Sequence, residues 1–347
     1  MVCVNPPAAG LTGHLVGTAA RAARLLQRWA RATDAPQQAS LRPFTDPLPS
    51  SPVMPELPDI VIYVEALEQR LVGQPIERIE VPSPFVLRSV DPPIEAAEGK
   101  TVQAIRRLGK RVVIGLTEDL FLVFHLMIAG RFRWMAAGSK GPGKITLLAI
   151  EFPTGRLVMT EAGKKKRASL HLVRGEAALA EHDPGGQEVL EAGEIDFREA
   201  LVKENHTLKR SLTDPRLFSG IGNAYSDEIL HAAGLSPLKQ ARKLTTEKIT
   251  RLHEATQRTL RHWIDILRVE FGDRFPGAGD ITAFRDGFAV HGRFGKPCPT
   301  CGEAVQRIRY AENETNYCPQ CQTGGRILAD RSLSRLLKDD WPRNAPQ

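Results

Sequence analysis

Met54-Pro55-Glu56-Leu57-Pro58-Asp59 reads as a protein N-terminus set inside the numbering of a 347-residue chain. A proline behind an initiator methionine is uncovered readily, because the residue exposed is small. What remains at Pro55 is a secondary amine with the Glu56 carboxyl beside it. Such an amine attacks an aldehyde-like carbon to give an iminium ion, whose charge needs no protonation and which acts as an electron sink for elimination. The same residues also suit a helix start, with Pro58 near the first helical position. Ile60, Val64, Leu67 and Leu71 then recur at helical spacing and Gly73 follows as a stop. Pro55 therefore sits just before a helix N-terminus, whose positive dipole end disfavours a protonated amine.

Upstream, residues 1–53 are rich in Ala, Arg and Pro and carry no core pattern. Arg21, Arg24, Arg28 and Arg31 surround Leu25, Leu26 and Trp29, as in a short basic amphipathic helix. This extension reads as a start assigned too far upstream or as a removable targeting or regulatory piece. Chemistry at Pro55 requires its removal in either case.

Downstream, short β-type runs at 76–81, 102–108, 111–116, 120–126, 132–135, 145–152 and 157–160 predict a β-sandwich. The chain turns acidic and loop-like over 175–193, through His182-Asp183-Pro184-Gly185-Gly186, which marks a domain boundary. Helical patterns follow at 197–204, 206–213, 224–233 and 245–267. The expected class is α+β. An N-terminal β-sandwich with flanking helices spans 54–180, a helical domain 195–272, a cysteine hairpin 285–323 and a basic tail 324–347. In that tail Leu328, Leu333, Leu336 and Leu337 predict a short helix.

The chain holds 47 Lys plus Arg against 40 Asp plus Glu, a net charge of +7 that suits a polyanionic partner. An aromatic content of 6% gives no sign of an extended single-strand stacking platform. No apolar run reaches membrane-spanning length, so no membrane partner is expected. Of five cysteines, Cys3 stands alone and four lie close to the C-terminus, which argues for a metal site over a disulfide scaffold. Cys298-Pro299-Thr300-Cys301 and Cys318-Pro319-Gln320-Cys321 have the spacing of one tetrahedral four-cysteine zinc site on a β-hairpin. Four thiolates leave no open position for water, so Zn2+ here is structural and makes a rigid finger of 307–315.

Gly220-Ile221-Gly222-Asn223-Ala224-Tyr225, followed by Ser226-Asp227-Glu228, joins two predicted helices. Two glycines before a helix let backbone amides approach an anion, and Asn223 is expected to cap the helix while its side chain donates to a phosphate oxygen. Lys209 and Arg210 precede the turn as a positive rim for duplex backbone.

Together these pieces resemble the formamidopyrimidine-DNA glycosylases, in the wider family that includes endonuclease VIII. The likeness runs from Met54 to about Gln322. It rests on Pro55-Glu56-Leu57-Pro58, Lys110 within Arg106-Arg107-Leu108-Gly109-Lys110, His125-Leu126 at a strand end, the helix-two-turn-helix signature at 220–228, and the terminal zinc finger. The resemblance implies a monomeric, cytoplasmic, nucleoid-associated enzyme of base excision repair. It acts on double-stranded damaged DNA with the damaged nucleotide flipped out of the stack. Pro55 attacks the sugar C1′, Glu56 donates the proton that helps open the sugar, and Lys110 is the proton donor in β-elimination and a phosphate contact. His125, Asn223 and Lys209 carry over as DNA ligands.

Two departures bear on product and specificity. Where the family's finger presents an arginine, this chain has Asn313 within Ala311-Glu312-Asn313-Glu314-Thr315; Arg307 and Arg309 lie nearby. Where the formamidopyrimidine branch has an arginine and an aromatic wedge, it reads Thr160-Glu161-Ala162-Gly163-Lys164-Lys165-Lys166-Arg167. Met127 or Ile128 is then the candidate apolar plug. The expectation is a bifunctional glycosylase and apurinic-site lyase for oxidised purines and formamidopyrimidines. The alternatives are an endonuclease VIII-like enzyme for oxidised pyrimidines, or a non-catalytic damaged-DNA binder if Pro55 stays inside the polypeptide.

Overall fold

The computed structural model describes residues 54–329 apart from 164, 283, 311 and 312. The extension 1–53 and Leu333, Leu336 and Leu337 of the expected tail helix lie outside the described residues; Leu328, which is described, is buried and not helical.

Helix α1 (Leu57–Leu71) starts behind Glu56, whose N–H donates to Asp59 Oδ2 at 2.9 Å. It ends before Gly73, which takes the left-handed φ of +81° that a side chain resists. Ile60, Tyr63, Leu67 and Leu71 face inward with no exposure. They cover a sandwich of eight strands: β1 (Arg78–Glu80), β2 (Val102–Leu108), β3 (Arg111–Leu116), β4 (Leu120–His125), β5 (Gly130–Met135), β6 (Thr146–Phe152), β7 (Gly155–Glu161) and β8 (Ser169–Arg174). One sheet has the order β1-β6-β7-β5 and the other β2-β3-β4-β8, with every neighbouring pair antiparallel. Ile114, Phe124 and Leu170 from one sheet and Phe132, Ile150 and Met159 from the other meet in a single core, as expected of a sandwich.

Strand β8 is absent from the sequence reading, although Ser169-Leu170-His171-Leu172 alternates with period two and buries both leucines completely. The segment read as an acidic loop also holds a short helix, α2 (Glu176–Ala180).

The second half contains α3 (Glu194–Lys203), α4 (Leu208–Thr213), α5 (Asn223–Ala232), α6 (Thr246–Phe271), the hairpin β9 (Gln306–Tyr310) and β10 (Asn313–Tyr317), and α7 (Pro319–Thr323). Phe197, Leu212, Tyr225, Leu252 and Leu260 form its own core. Leu57 belongs to this second core while Ile60 belongs to the first, so α1 fastens both halves. The fastening is completed by Leu57 N–H donating to Gly220 O at 2.9 Å and by a buried Arg285–Asp59 ion pair at 2.5 Å. Among the described residues no helix is long and apolar enough to cross a membrane.

The Arg285–Asp59 pair is almost sealed from water, with side chains 6% and 4% exposed. Arg285→Ala leaves an uncompensated buried carboxylate and is expected to lower the unfolding free energy by about 3–5 kcal/mol. Removing the exposed Arg106–Glu176 pair by Arg106→Ala should change it by less than about 1 kcal/mol. Urea denaturation of both variants compares the two; equal losses would contradict the fastening role.

Candidate active site

Glu56 is 2% exposed, and its carboxylate is held by backbone N–H groups at the head of α5. Oε2 accepts from the N–H groups of Gly222 at 2.8 Å and Tyr225 at 3.1 Å, and Oε1 from Ala224 N–H at 2.8 Å. The anion cradled by this glycine turn is therefore the chain's own carboxylate. Gly222, not Asn223, is the N-cap residue, and Asn223 opens the helix proper. The expected cap at Asn223 is corrected accordingly: a helix start needs one acceptor set, and Glu56 supplies it from a distant part of the chain.

A Cβ on Gly222 would lie 2.4 Å from Glu56 Cδ and 2.6 Å from Lys110 Nζ, so the bare backbone makes room for both groups. Lys110 reaches this point from the tight β2–β3 turn, where Gly109 has φ +62° and Leu108 pairs with Arg111. Burial lowers its pKa, the Glu56 charge opposes that, and Lys209 adds to the lowering. Pro55 is buried one peptide bond from the clamped Glu56. Folding thus brings Pro55, Glu56 and Lys110 to one place.

His125 ends β4 between Arg111 on β3 and Ser169 on β8. Burial, then Arg111, Lys110 and His171, push its pKa down to about 4, so the imidazole is neutral at physiological pH. Asn223 Nδ2 donates to Glu314 O at 2.9 Å, joining α5 to the finger hairpin. Lys209 is not a free rim: its Nζ donates to Asp227 Oδ1 at 2.5 Å and to Asn223 O at 2.6 Å, and its side chain is 12% exposed.

Sequence reasoning passed over the roles of the next residues on α5. Asp227, fully buried, accepts from Lys209 and from Asn316 N–H at 2.9 Å, and lies 2.8 Å from His291 Nδ1. Glu228 accepts the N–H groups of Ala289, Val290 and His291 at 2.6, 2.9 and 2.8 Å. The available signal was two adjacent acids on a helix with buried Tyr225 and Ile229 on either side; buried charges of this kind are partnered.

The sulfur atoms of Cys298, Cys301, Cys318 and Cys321 lie within 4.8 Å of one another. Thiolates about 2.3 Å from a tetrahedral zinc are about 3.8 Å apart, so the four fit the ion. His231 Nε2, on the last turn of α5, lies 3.3 Å from Cys298 Sγ. On the hairpin Arg307 stacks over Phe294 at 4.1 Å, and both Arg307 and Arg309 reach Glu314, at 3.5 and 3.4 Å. The side chain of Asn313 lies outside the described residues, as does Lys164.

Between β7 and β8, buried Glu161 accepts the N–H groups of Arg167 at 3.0 Å and Ala168 at 3.3 Å, which fixes the basic loop. Lys165 and Arg167 are exposed on it. The loop leans on the β4–β5 turn, where a Cβ on Gly163 would meet Ala129 Cβ at 3.6 Å and Met127 has φ +53°.

Residues 54–179 match the Formamidopyrimidine-DNA glycosylase N-terminal domain, 187–270 the Formamidopyrimidine-DNA glycosylase H2TH domain, and 295–324 the Zinc finger found in FPG and IleRS. Formamidopyrimidine-DNA glycosylase from Desulfitobacterium hafniense is 32% identical over 275 residues, covering 78% of this chain and 100% of that protein. An uncharacterized formamidopyrimidine-DNA glycosylase-like protein of Mycobacterium tuberculosis is 43% identical over 154 residues, 44% of this chain and 94% of that one. Among solved structures, Lactococcus lactis Fpg bound to abasic-site DNA superposes with TM-score 0.68 at 28% identity, covering 77% of this chain and 99% of that chain. MutM with carbocyclic 8-oxo-G DNA gives 0.68 at 28% identity, covering 78% and 100%.

The depressed His125 pKa fixes a pH dependence. The unfolded chain binds the proton near pH 6.5 and the folded chain only near 4, so this contribution to stability is complete above about 6.5 and lost as pH falls toward 4. His125→Gln is expected to flatten the fall in stability between those values. An NMR titration of His125 with its midpoint near 6.5 would contradict the burial argument.

Proposed function

Because the chain belongs to the formamidopyrimidine-DNA glycosylase family, we propose that it is a base-excision-repair DNA glycosylase with apurinic-site lyase activity, acting through Pro55. The observation that carries the reading is the Glu56 carboxylate locked against the head of α5, with the Lys110 amine in the same space and Pro55 immediately before it.

In this reading the Pro55 nitrogen bonds to C1′ of an extruded nucleotide as the base leaves with the glycosidic electron pair. The Glu56 carboxylate takes the proton that the Pro55 nitrogen then sheds and hands it to the ring oxygen, the C1′–O bond opens, and the nitrogen lone pair so freed completes the iminium. A water molecule then takes the C2′ proton, the electron pair left behind expels the 3′ phosphate oxygen, and Lys110 donates a proton to that leaving oxygen. The neutral His125 ring and the second Asn223 amide hydrogen face the phosphates on either side. Lys209 acts indirectly, by holding the start of α5. Zinc on the four cysteines folds the finger and carries no step. The partner is duplex DNA, bound by a monomer.

Oxidised purines and formamidopyrimidines are the favoured substrates, in keeping with the 8-oxo-G complex of the related MutM. A second reading, oxidised pyrimidines, is favoured by the basic loop at 162–168, which has no aromatic residue to stack in the vacated helix. A Lactococcus lactis Fpg complex with DNA containing an oxidised pyrimidine, at TM-score 0.68 and 29% identity, supports keeping it.

Everything catalytic depends on a free nitrogen at Pro55, which in the 347-residue chain is bonded to Met54. Borohydride is expected to trap a covalent complex between protein starting at Pro55 and an abasic duplex, since an iminium is reducible, and extension through Met1 should suppress it. Equal trapping by both forms would remove Pro55 from the mechanism. Mass spectrometry of the native N-terminus tests the binder alternative directly.

Asn313 stands where the family's finger has an arginine, and an amide cannot reproduce a guanidinium. Cleavage of an abasic duplex should therefore stop mostly at the β-elimination product, with an unsaturated aldehyde on the 3′ end. Gel resolution of the 3′ ends reads this; predominant δ-elimination by the unmodified protein would show that Arg307, Arg309 or another set has taken over.

A further inference from the structure

Two ammonium groups flank the first residues of α5. Lys110 Nζ lies beside Gly222, and Lys209 Nζ donates to the carbonyl of the next residue, Asn223. Like charges this close destabilise one another unless something neutralises one of them. For Lys209 that group is Asp227, four residues along the helix, at 2.5 Å and with no exposure. Asp227 is itself fixed by Asn316 N–H and by His291 Nδ1, so it cannot swing away with Lys209.

We propose that Asp227 is a positioning residue for Lys110: it pins Lys209 against Asn223 and cancels its charge, so that Lys110 keeps its proton at the head of α5. The inference deepens the reading of Lys110 as a proton donor and rests on it. The charged groups facing Lys110 are Glu56 ahead of α1, Asp59 on α1, which is paired with Arg285, and Lys209 on α4; His125 on β4 feels Lys110 in turn. Glu56 and Asp59 favour the charged amine, while burial and Lys209 disfavour it. Neutralising Asp227 exposes Lys110 to the full Lys209 charge, and removing the Lys209 charge leaves Asp227 as one more anion nearby. The two halves of one ion pair thus act on Lys110 in opposite directions.

The full-length chain is acetylated with acetic anhydride across a pH series, and the Lys110 peptide is followed by mass spectrometry with exposed Lys248 as internal standard. Asp227→Asn is expected to move the Lys110 midpoint down by about one pH unit and Lys209→Met to move it up by a similar amount, the size of effect that a close partly buried charge produces. The double variant should return toward the unmodified protein. Zinc content and circular dichroism report folding, and if Asp227→Asn does not fold, Lys209→Met and Lys209→Gln decide alone. Shifts of the Asp227 and Lys209 variants in the same direction, a downward shift in the Lys209 variants, or unchanged midpoints in folded protein overturn the proposal, because a purely structural pair has no reason to give opposite signs. The measurement uses neither DNA nor turnover, so an inactive enzyme would sink the proposed function and leave this result standing.

Discussion

Three backbone N–H groups at the head of α5 converge on one carboxylate, Glu56, and the architecture on either side depends on that convergence. The positive end of a helix dipole and a carboxyl acceptor are complementary, and charge-assisted bonds of this kind contribute roughly 1.5–3 kcal/mol each. The clamp fixes where α1 begins, since Leu57 N–H is then directed at Gly220 O. It also requires glycine at 222, where any side chain would strike the carboxylate and Lys110 together. The residue before the clamp, Pro55, inherits a fixed position from it.

From that head, α5 runs as a strut into the cysteine hairpin. Asn223, Asp227, Glu228 and His231 recur at helical spacing, and each contacts the hairpin or the chain leading to it. The hairpin has little apolar core of its own, with Val290, Cys298, Val305 and Cys318 as its buried cluster. Its orientation is therefore set by the metal at one end and by α5 carboxylates along the side. One helix so has Glu56 and Lys110 beside its head and the finger along its side.

Periodicity made most of this legible. The runs 102–108 and 111–116 coincide with β2 and β3, and the four long helical patterns fall within a few residues of α3 to α6. Strand β8 escaped because the run of charges at 164–167 masks the two-residue alternation that follows. The residues of the site were legible as types, but their partners were not. A sequence shows that Asn223 is able to cap and that Lys209 is able to bind phosphate; it does not show that Glu56, far along the chain, and Asp227, on the next helix, reach those groups first. Competition for a donor or acceptor is settled by tertiary geometry, which local pattern does not encode.

The same competition explains what becomes of the finger arginines. Arg307 is occupied on both sides, by the Phe294 ring and by Glu314, and it is 31% exposed. Arg309 shares Glu314 yet is 63% exposed, so its guanidinium has the greater reach. Glu314 also presents its carbonyl to Asn223, which ties the carboxylate holding both arginines to the head of α5. Across the site, the Glu161-braced loop likewise offers Lys165 and Arg167 in place of a ring. Both departures replace groups that stack or fork with groups that act mainly through charge. Charge reads the phosphate backbone and is weakened by salt, whereas stacking reads the vacated base position. Exposed Lys165, Arg167 and Arg309 are therefore suited to a phosphate backbone more than to a vacated base position.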